Sequence, residues 1–232
     1  TIDEFMGDGI LVLFGAPITR EDDPVRAIAC AIDMQLAMEP VNKQMKEWGL
    51  PPLEMGIGIN TGEVVVGNIG SDKRTKYGVV GSQVNLTYRI ESYTTGGQIL
   101  ISETTLKNVG PIIKINDEKE VMPKGVKKPI TIYDVAGIDG KYNLFLTKEE
   151  EHYLPLKEPI SLHYVVLDGK NVGDCLQKGS LIKLSEKEAE IQGVQTGDYL
   201  PQALINIKLN FLWDGVESED VYGKVLEKKA VN

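Results

Sequence analysis

The sequence predicts an α+β domain followed by a small all-β domain, and three observations lead there. Up to about residue 137, short segments with apolar residues at every second position alternate with longer ones whose apolar residues recur at helical spacing. From residue 159 onward only short alternating segments remain, separated by turn residues. The chain has 232 residues, 42% of them hydrophobic, which exceeds one ordinary domain and is enough to bury a sizeable core.

The first element is a hairpin across residues 1 to 14. Glu4-Phe5-Met6-Gly7-Asp8-Gly9 leads into Ile10-Leu11-Val12-Leu13-Phe14, and Gly7 and Gly9 permit backbone angles that a β-carbon resists, so Asp8 is projected from the tip. Asp22-Asp23-Pro24 then marks the start of a long helix, because proline suits a first helical turn and acids there favour initiation. Ala27, Ile28, Ala31, Ile32 and Met38 form its apolar stripe; Pro40 should kink or divide it, and it ends near Gly49, before Pro51-Pro52.

Met55-Gly56-Ile57-Gly58-Ile59 and the segment 63 to 67 alternate with period two, which reads as two strands around an Asn60-Thr61-Gly62 turn, the small glycines leaving space for a ligand. A helix starting near Ser82 sets Asn85 and Arg89 four residues apart on one face, while Leu86, Ile90 and Tyr93 form a second stripe suited to a core. Thr95-Gly96-Gly97 turns the chain into a strand over 98 to 102, and a Lys124-Gly125 turn leads to a last strand at 130 to 135. Residues 138 to 158 read as a linker, with Lys148-Glu149-Glu150-Glu151 and Pro155 in it. The second domain, 159 to 232, reads as strands at 161 to 167, 180 to 184, 189 to 194, 203 to 212 and 222 to 226, forming a small barrel or open sheet.

The net charge of −9 argues against nucleic acid as a partner. No apolar run approaches the roughly 20 residues that span a bilayer, and no basic-then-apolar start resembles a signal peptide. A cytoplasmic protein is the expectation, and a membrane anchor upstream is compatible with it. Cys30, within the apolar helix pattern, and Cys175 fall in different domains, which speaks against a disulfide framework and for reducing conditions. His152 and His163 have no Cys or His neighbours at metal-ligand spacing, so zinc is not expected.

The hairpin is followed by Asn60-Thr61-Gly62-Glu63, by Val64-Val65-Val66-Gly67-Asn68-Ile69-Gly70-Ser71, and by Tyr77-Gly78-Val79-Val80-Gly81-Ser82-Gln83-Val84-Asn85-Leu86-Thr87-Tyr88-Arg89. In this order and spacing the segments closely resemble the class III nucleotide cyclase catalytic domain, a ferredoxin-like α+β fold, from Thr1 to about Gly137. The resemblance implies a signalling enzyme that converts a nucleoside triphosphate to its 3′,5′-cyclic monophosphate and pyrophosphate. It also implies two Mg²⁺ or Mn²⁺ ions held by two aspartates. Asp8 matches the second of these; the first belongs to an earlier strand, which this chain is expected to lack together with one or two helices, and that puts turnover by the chain alone in question. By the same match Asn85 orients the ribose and Arg89 offers its planar fork of donors to the phosphate oxygens. A head-to-tail homodimer is implied, with active sites at the interface that take the aspartates from one subunit and the Asn and Arg from the other. An upstream sensor domain is implied as well.

Adenylate cyclases typically carry lysine where this chain carries Glu4, which points toward guanine. A carboxylate accepts from guanine N1–H and the 2-amino group, and it repels the N1 acceptor of adenine. The partner selector falls on Gly78, which has no side chain to read a base and would tolerate a reoriented adenine, so GTP is favoured over ATP only slightly. Lys124 matches a lysine that reaches the terminal phosphates, or is an exposed lysine beside a turn. Lys73, Arg74 and Lys76 form a basic cluster that meets a triphosphate or belongs to a solvated loop.

The stretch Leu184-Ser185-Glu186 leading to Ala189-Glu190-Ile191 faintly resembles the PilZ fold, whose usual role is binding cyclic di-GMP. Only the serine of its Asp/Asn-x-Ser-x-x-Gly motif is matched, and no arginine follows Arg89 to hold the phosphates, so cyclic di-GMP is not the expected ligand. Two function classes remain: a cyclase, and a non-catalytic cyclase-like module that dimerises or senses a nucleotide. The combination of Asp8, Asn85 and Arg89 favours the first.

Overall fold

The computed structural model describes residues 1–123, 126, 128–147, 151–168, 171–173, 175–193, 203–213 and 215–229, in two units, Thr1–Lys148 and Glu149–Asn232. The first unit begins with strands β1 (Ile2–Met6) and β2 (Gly9–Val12), then helices α1 (Asp23–Leu36) and α2 (Met38–Glu47) and strands β3 (Ile57–Ile59), β4 (Val65–Ser71) and β5 (Arg74–Val80). It continues with α3 (Ser82–Ser92), β6 (Ile99–Ser102), α4 (Glu103–Val109), a short 3₁₀ turn (Gly110–Ile112), β7 (Ile113–Val121), β8 (Ile130–Ile138) and β9 (Leu144–Phe145). The central sheet has the order β3-β6-β8-β7, with β3 and β6 parallel, the other pairs antiparallel, and β9 paired to β8. β1 with β2 and β4 with β5 form separate hairpins.

Pro24 opens α1 as its sequence signal requires, and Pro40 divides the long helix. Proline lacks an N–H and crowds the carbonyl four residues back, so α1 stops at Leu36 and α2 restarts beyond Ala37. Ile28 and Ile32 of α1 are fully buried against Ile99 and Ile101 of β6 and Val135 and Ile138 of β8. Each such isoleucine contributes about 1.5–3 kcal/mol of apolar burial. Leu100 points to the opposite face of β6 and is also buried, so both faces of the sheet are covered. Among the described residues no helix is long and apolar enough to cross a membrane.

The structure corrects several expectations. Only Gly7 of the hairpin tip needs a left-handed backbone, at φ 63°; Gly9 already pairs with Met6, leaving a two-residue loop of Gly7 and Asp8. Asn60-Thr61-Gly62 is not a hairpin turn, because β3 and β4 belong to different sheets. The glycines before it make room for a helix and not for a ligand: a β-carbon on Gly58 would lie 2.7 Å from Glu91 Cα of α3, and one on Gly56 would strike the Thr94 side chain. Lys73 sits in the turn of a hairpin whose second strand, β5, contains Arg74 and Lys76, so the basic cluster is not a loop. Cys30 is exposed on α1 and unpaired, facing away from the apolar stripe.

Among the described residues the second unit is all-β. Its strands are β10 (Leu154–Asp168), β11 (Asn171–Val172), β12 (Gln177–Leu184), β13 (Ala189–Gly193), β14 (Asn206–Trp213), β15 (Val216–Glu217) and β16 (Val221–Lys224). The order is β13-β12-β10-β14-β15, every pair antiparallel, with β11 on β10 and β16 on β14. Among the described residues nothing closes it into a barrel, so of the two architectures expected it is the open sheet. Leu162, Tyr164, Leu181, Ile207 and Leu209 form its core. β10 begins well before the expected strand: Pro155 and Pro159 lie at a register shift that absorbs their missing donors. β9 also falls in the stretch expected as linker, because Leu144 and Leu146 pack on the first unit's core.

Candidate active site

The β1–β2 hairpin carries Asp8 at its tip, exposed and without a hydrogen-bond or ion-pair partner among the described residues. Both carboxylate oxygens are therefore open to a ligand. Between Ile2 and Glu4 the strand register shifts, and the extra residue is Asp3, the bulged position of β1. The bulge turns two consecutive carboxylates toward β5. Glu4 pairs with Lys76, Nζ to Oε1 2.6 Å, and Asp3 faces Gly78, where a β-carbon would meet both Asp3 carboxylate oxygens at 3.9 Å. Lys76 and Gly78, two apart, lie on one face of β5.

Helix α3 follows β5 directly and presents Asn85, exposed, and Arg89, half-buried, one turn apart. Its first turn is held from the loop after β3. The Asn60 side-chain amide donates to the Gln83 carbonyl at 3.1 Å and to Gln83 Oε1 at 2.9 Å, and Thr87 Oγ1 donates to the same carbonyl. Ile90, fully buried, and the close approach of Glu91 to Gly58 seat the helix on β3. Tyr88 ties it to the hairpin by donating from Oη to Met6 Sδ at 3.2 Å. Burial, reinforced by the Glu4 and Asp3 carboxylates and opposed by Lys76, pushes the Tyr88 phenol above its ordinary value. Burial also raises Tyr93, against the pull of the Arg89 guanidinium.

The structure thus brings Glu4, Gly78 and the Asn85–Arg89 helix into one neighbourhood, through β5 and Tyr88. Among the described residues no hydrogen bond or ion pair joins Asp8 to Asn85 or Arg89 within this chain. Lys124 lies outside the described residues. Asp3, Asn60 and Tyr88 were not legible as site residues; only the register shift between β1 and β2 shows that Asp3 and Glu4 share a face, since strict alternation would send them apart.

In the second unit Ser185, the one residue matching the cyclic di-GMP motif, is used by its own turn. Its Oγ accepts from the Glu188 N–H at 2.9 Å and the Lys187 N–H at 3.3 Å, between β12 and β13. His163 Nδ1 lies 2.8 Å from Glu217 Oε1. Among the described residues no three His, Cys, Asp or Glu side chains cluster as a metal site.

Comparison with known proteins gives a family match over residues 4–137, to the adenylate and guanylate cyclase catalytic domain. An adenylate cyclase of Anabaena cylindrica is 35% identical over 144 residues, 58% of this chain and 28% of that protein. Among solved structures, the guanylyl cyclase Cya2 is 69% identical with a TM-score of 0.62, covering 63% of this chain and 75% of that one. The adenylyl cyclase CyaB from P. aeruginosa is 37% identical with a TM-score of 0.57, covering 62% and 74%. The chain spans less than a third of the length of the curated relatives it matches.

Proposed function

Because the chain belongs to the adenylate and guanylate cyclase catalytic domain family, over residues 4–137, we propose that it forms cyclic GMP from GTP. The ribose 3′-oxygen attacks the α-phosphorus, the bond from that phosphorus to the bridging oxygen breaks, and pyrophosphate leaves with the bonding electrons. The hydroxyl proton passes to water.

Arg89 places its guanidinium fork on the α-phosphate oxygens as charge develops, and Asn85, one turn earlier, holds the ribose. Lysine could not supply the same planar fork. Asp8 fits a hard divalent cation such as Mg²⁺ or Mn²⁺, since its two oxygens are open and such ions take one or two carboxylates along with substrate phosphates. Two such ions, when bound, would neutralise the triphosphate and polarise the reacting oxygens.

The observation that carries the guanine preference is Glu4 beside Lys76 at 2.6 Å, next to the side-chain-free Gly78. Guanine offers donors at N1 and the 2-amino group to Glu4 and an acceptor at O6 to Lys76. Adenine reverses both edges, setting acceptor against carboxylate and donor against ammonium. The high identity to the guanylyl cyclase Cya2 supports the same reading.

A head-to-tail homodimer completes each site, Asp8 coming from one subunit and Asn85 and Arg89 from its partner. Supporting it, Phe5 and Val65, at the two hairpins, are 68% and 67% exposed, apolar surface that a partner subunit would cover. An upstream sensor domain is the proposed source of regulation.

The test is product identification by mass spectrometry after incubating the chain, and a longer version that adds upstream sequence, with equal ATP and GTP and either Mg²⁺ or Mn²⁺. Cyclic GMP as main product is expected. Cyclic AMP would remove Glu4 as base reader, and no cyclic product from a folded dimer would favour the non-catalytic module.

A further inference from the structure

Resting on the guanine reading above, we propose that Asp3 is a second purine-selecting residue, accepting a hydrogen bond from the guanine 2-amino group through the gap left by Gly78. Four observations converge on it. Asp3 Oδ1 is buried and has no hydrogen-bond partner among the described residues. An orphaned buried acceptor is costly to a fold, and a donor brought by a ligand would relieve that cost. Asp3 occupies a β-bulge, a device that re-aims a side chain. Asp3 faces Gly78, where a β-carbon would stand 3.9 Å from both carboxylate oxygens, so a longer side chain there would crowd the Asp3 carboxylate. Glu4, which reads the base edge, faces Lys76 on that same side of β5.

The chemistry divides cleanly between the two carboxylates. Guanine has one N1–H and two hydrogens on its 2-amino group. Glu4 accepts N1–H and the nearer amino hydrogen, and Asp3 accepts the second. The Asp carboxylate torsion is broad and roughly two-fold, so a modest rotation presents an oxygen to the base. Hypoxanthine keeps N1–H and O6 and lacks the amino group, and adenine carries only a C–H at that carbon. Asp3 therefore discriminates by the amino group specifically.

The probes are 3′-deoxy-GTP, 3′-deoxy-ITP and 3′-deoxy-ATP, which lack the attacking hydroxyl and cannot cyclise, with affinities measured by calorimetry on the full chain in magnesium. The wild-type chain is expected to bind the GTP analogue at least tenfold tighter than the ITP analogue, as befits hydrogen bonds to a charged acceptor. Asp3→Ala is expected to cut that ratio about tenfold, by weakening the GTP analogue while leaving the ITP analogue unchanged. Asp3→Asn preserves shape and one acceptor oxygen, so it cuts the ratio less, and it carries the same test if the alanine variant fails to fold. An unchanged ratio, equal losses on both analogues, or a wild type that binds none of the three overturns the proposal. Turnover of GTP, assayed separately, keeps the two readings apart. Cyclic GMP with a ratio indifferent to Asp3 sinks Asp3 alone, whereas the expected ratios without any cyclic product sink the cyclase reading alone.

Discussion

Lys76 Nζ on β5 lies 2.6 Å from Glu4 Oε1 on β1, joining two hairpins that share no hydrogen-bonded ladder. Both side chains are about half exposed, so the pair adds little to folding, in the range of 0–1 kcal/mol typical of surface ion pairs. Lys76→Ala should therefore leave the melting temperature within a few degrees while lowering kcat/KM for GTP about tenfold and for ATP far less. Matched thermal melts and steady-state assays check it; a large loss of stability would mean that the pair is structural.

Arg89→Ala should lower kcat by about 10²–10³-fold, the usual cost of removing a transition-state donor. Arg89→Lys should recover only a small part, for want of the planar fork. Circular dichroism should be unchanged, because Arg89 is only half-buried. Retained turnover in the alanine variant would remove Arg89 from the mechanism.

Asp8→Asn should raise the Mn²⁺ concentration needed for half-maximal activity at least tenfold and leave the monomer's stability unaltered, since Asp8 bonds nothing among the described residues. A metal titration of the variant against the wild type decides this. An unmoved midpoint would place the cation elsewhere.

Gly58→Ala should destabilise the first unit by about 1–3 kcal/mol, because its new methyl group meets the backbone of Glu91 and neither side can yield cheaply. Urea unfolding followed by tryptophan fluorescence measures it. The same substitution at Gly7 should also cost stability, for a different reason: the space there is open and the penalty is the left-handed φ of 63°.

In the second unit the Glu188 carboxylate accepts a hydrogen bond from the Tyr153 phenol, and that bond, with lesser help from burial, pushes Tyr153 up to about 12. The folded value stands above the ordinary 10.0, so whatever the bond contributes is fully present below pH 10 and is lost as pH rises through about 12. Ultraviolet titration of the wild type against Tyr153→Phe should show one phenol ionising late, and Glu188→Gln should bring it back toward 10.0.

Much of this fold was legible because some residues leave the chain no alternative. Pro24 and Pro40 fix where helices start and break, the two-residue loop of Gly7 and Asp8 fixes a hairpin, and the spacing of Asn85 and Arg89 fixes a shared helical face. What stayed hidden depends on partners distant in sequence. Gly56 and Gly58 look alike whether they admit a ligand or a helix, and only Thr94 and Glu91 decide it. The β5 strand was masked by Arg74 and Lys76, whose charge belongs on an exposed hairpin and reads locally as loop. Asp3 was invisible as a site residue because a bulge breaks the alternation by which strand faces are inferred.

The seat of α3 on bare glycine backbone has a mechanical side. Most helices rest on a layer of side chains whose rotamers can shift, but where β3 meets α3 that compliant layer is missing, and Ile90 locks what remains. Asn85 and Arg89 are in effect bolted to the sheet, and they travel only when the sheet travels. In the proposed homodimer, any signal that adjusts their reach toward a nucleotide must then move the sheet they are fixed to, and the precision of the proposed chemistry becomes a property of how two such sheets meet.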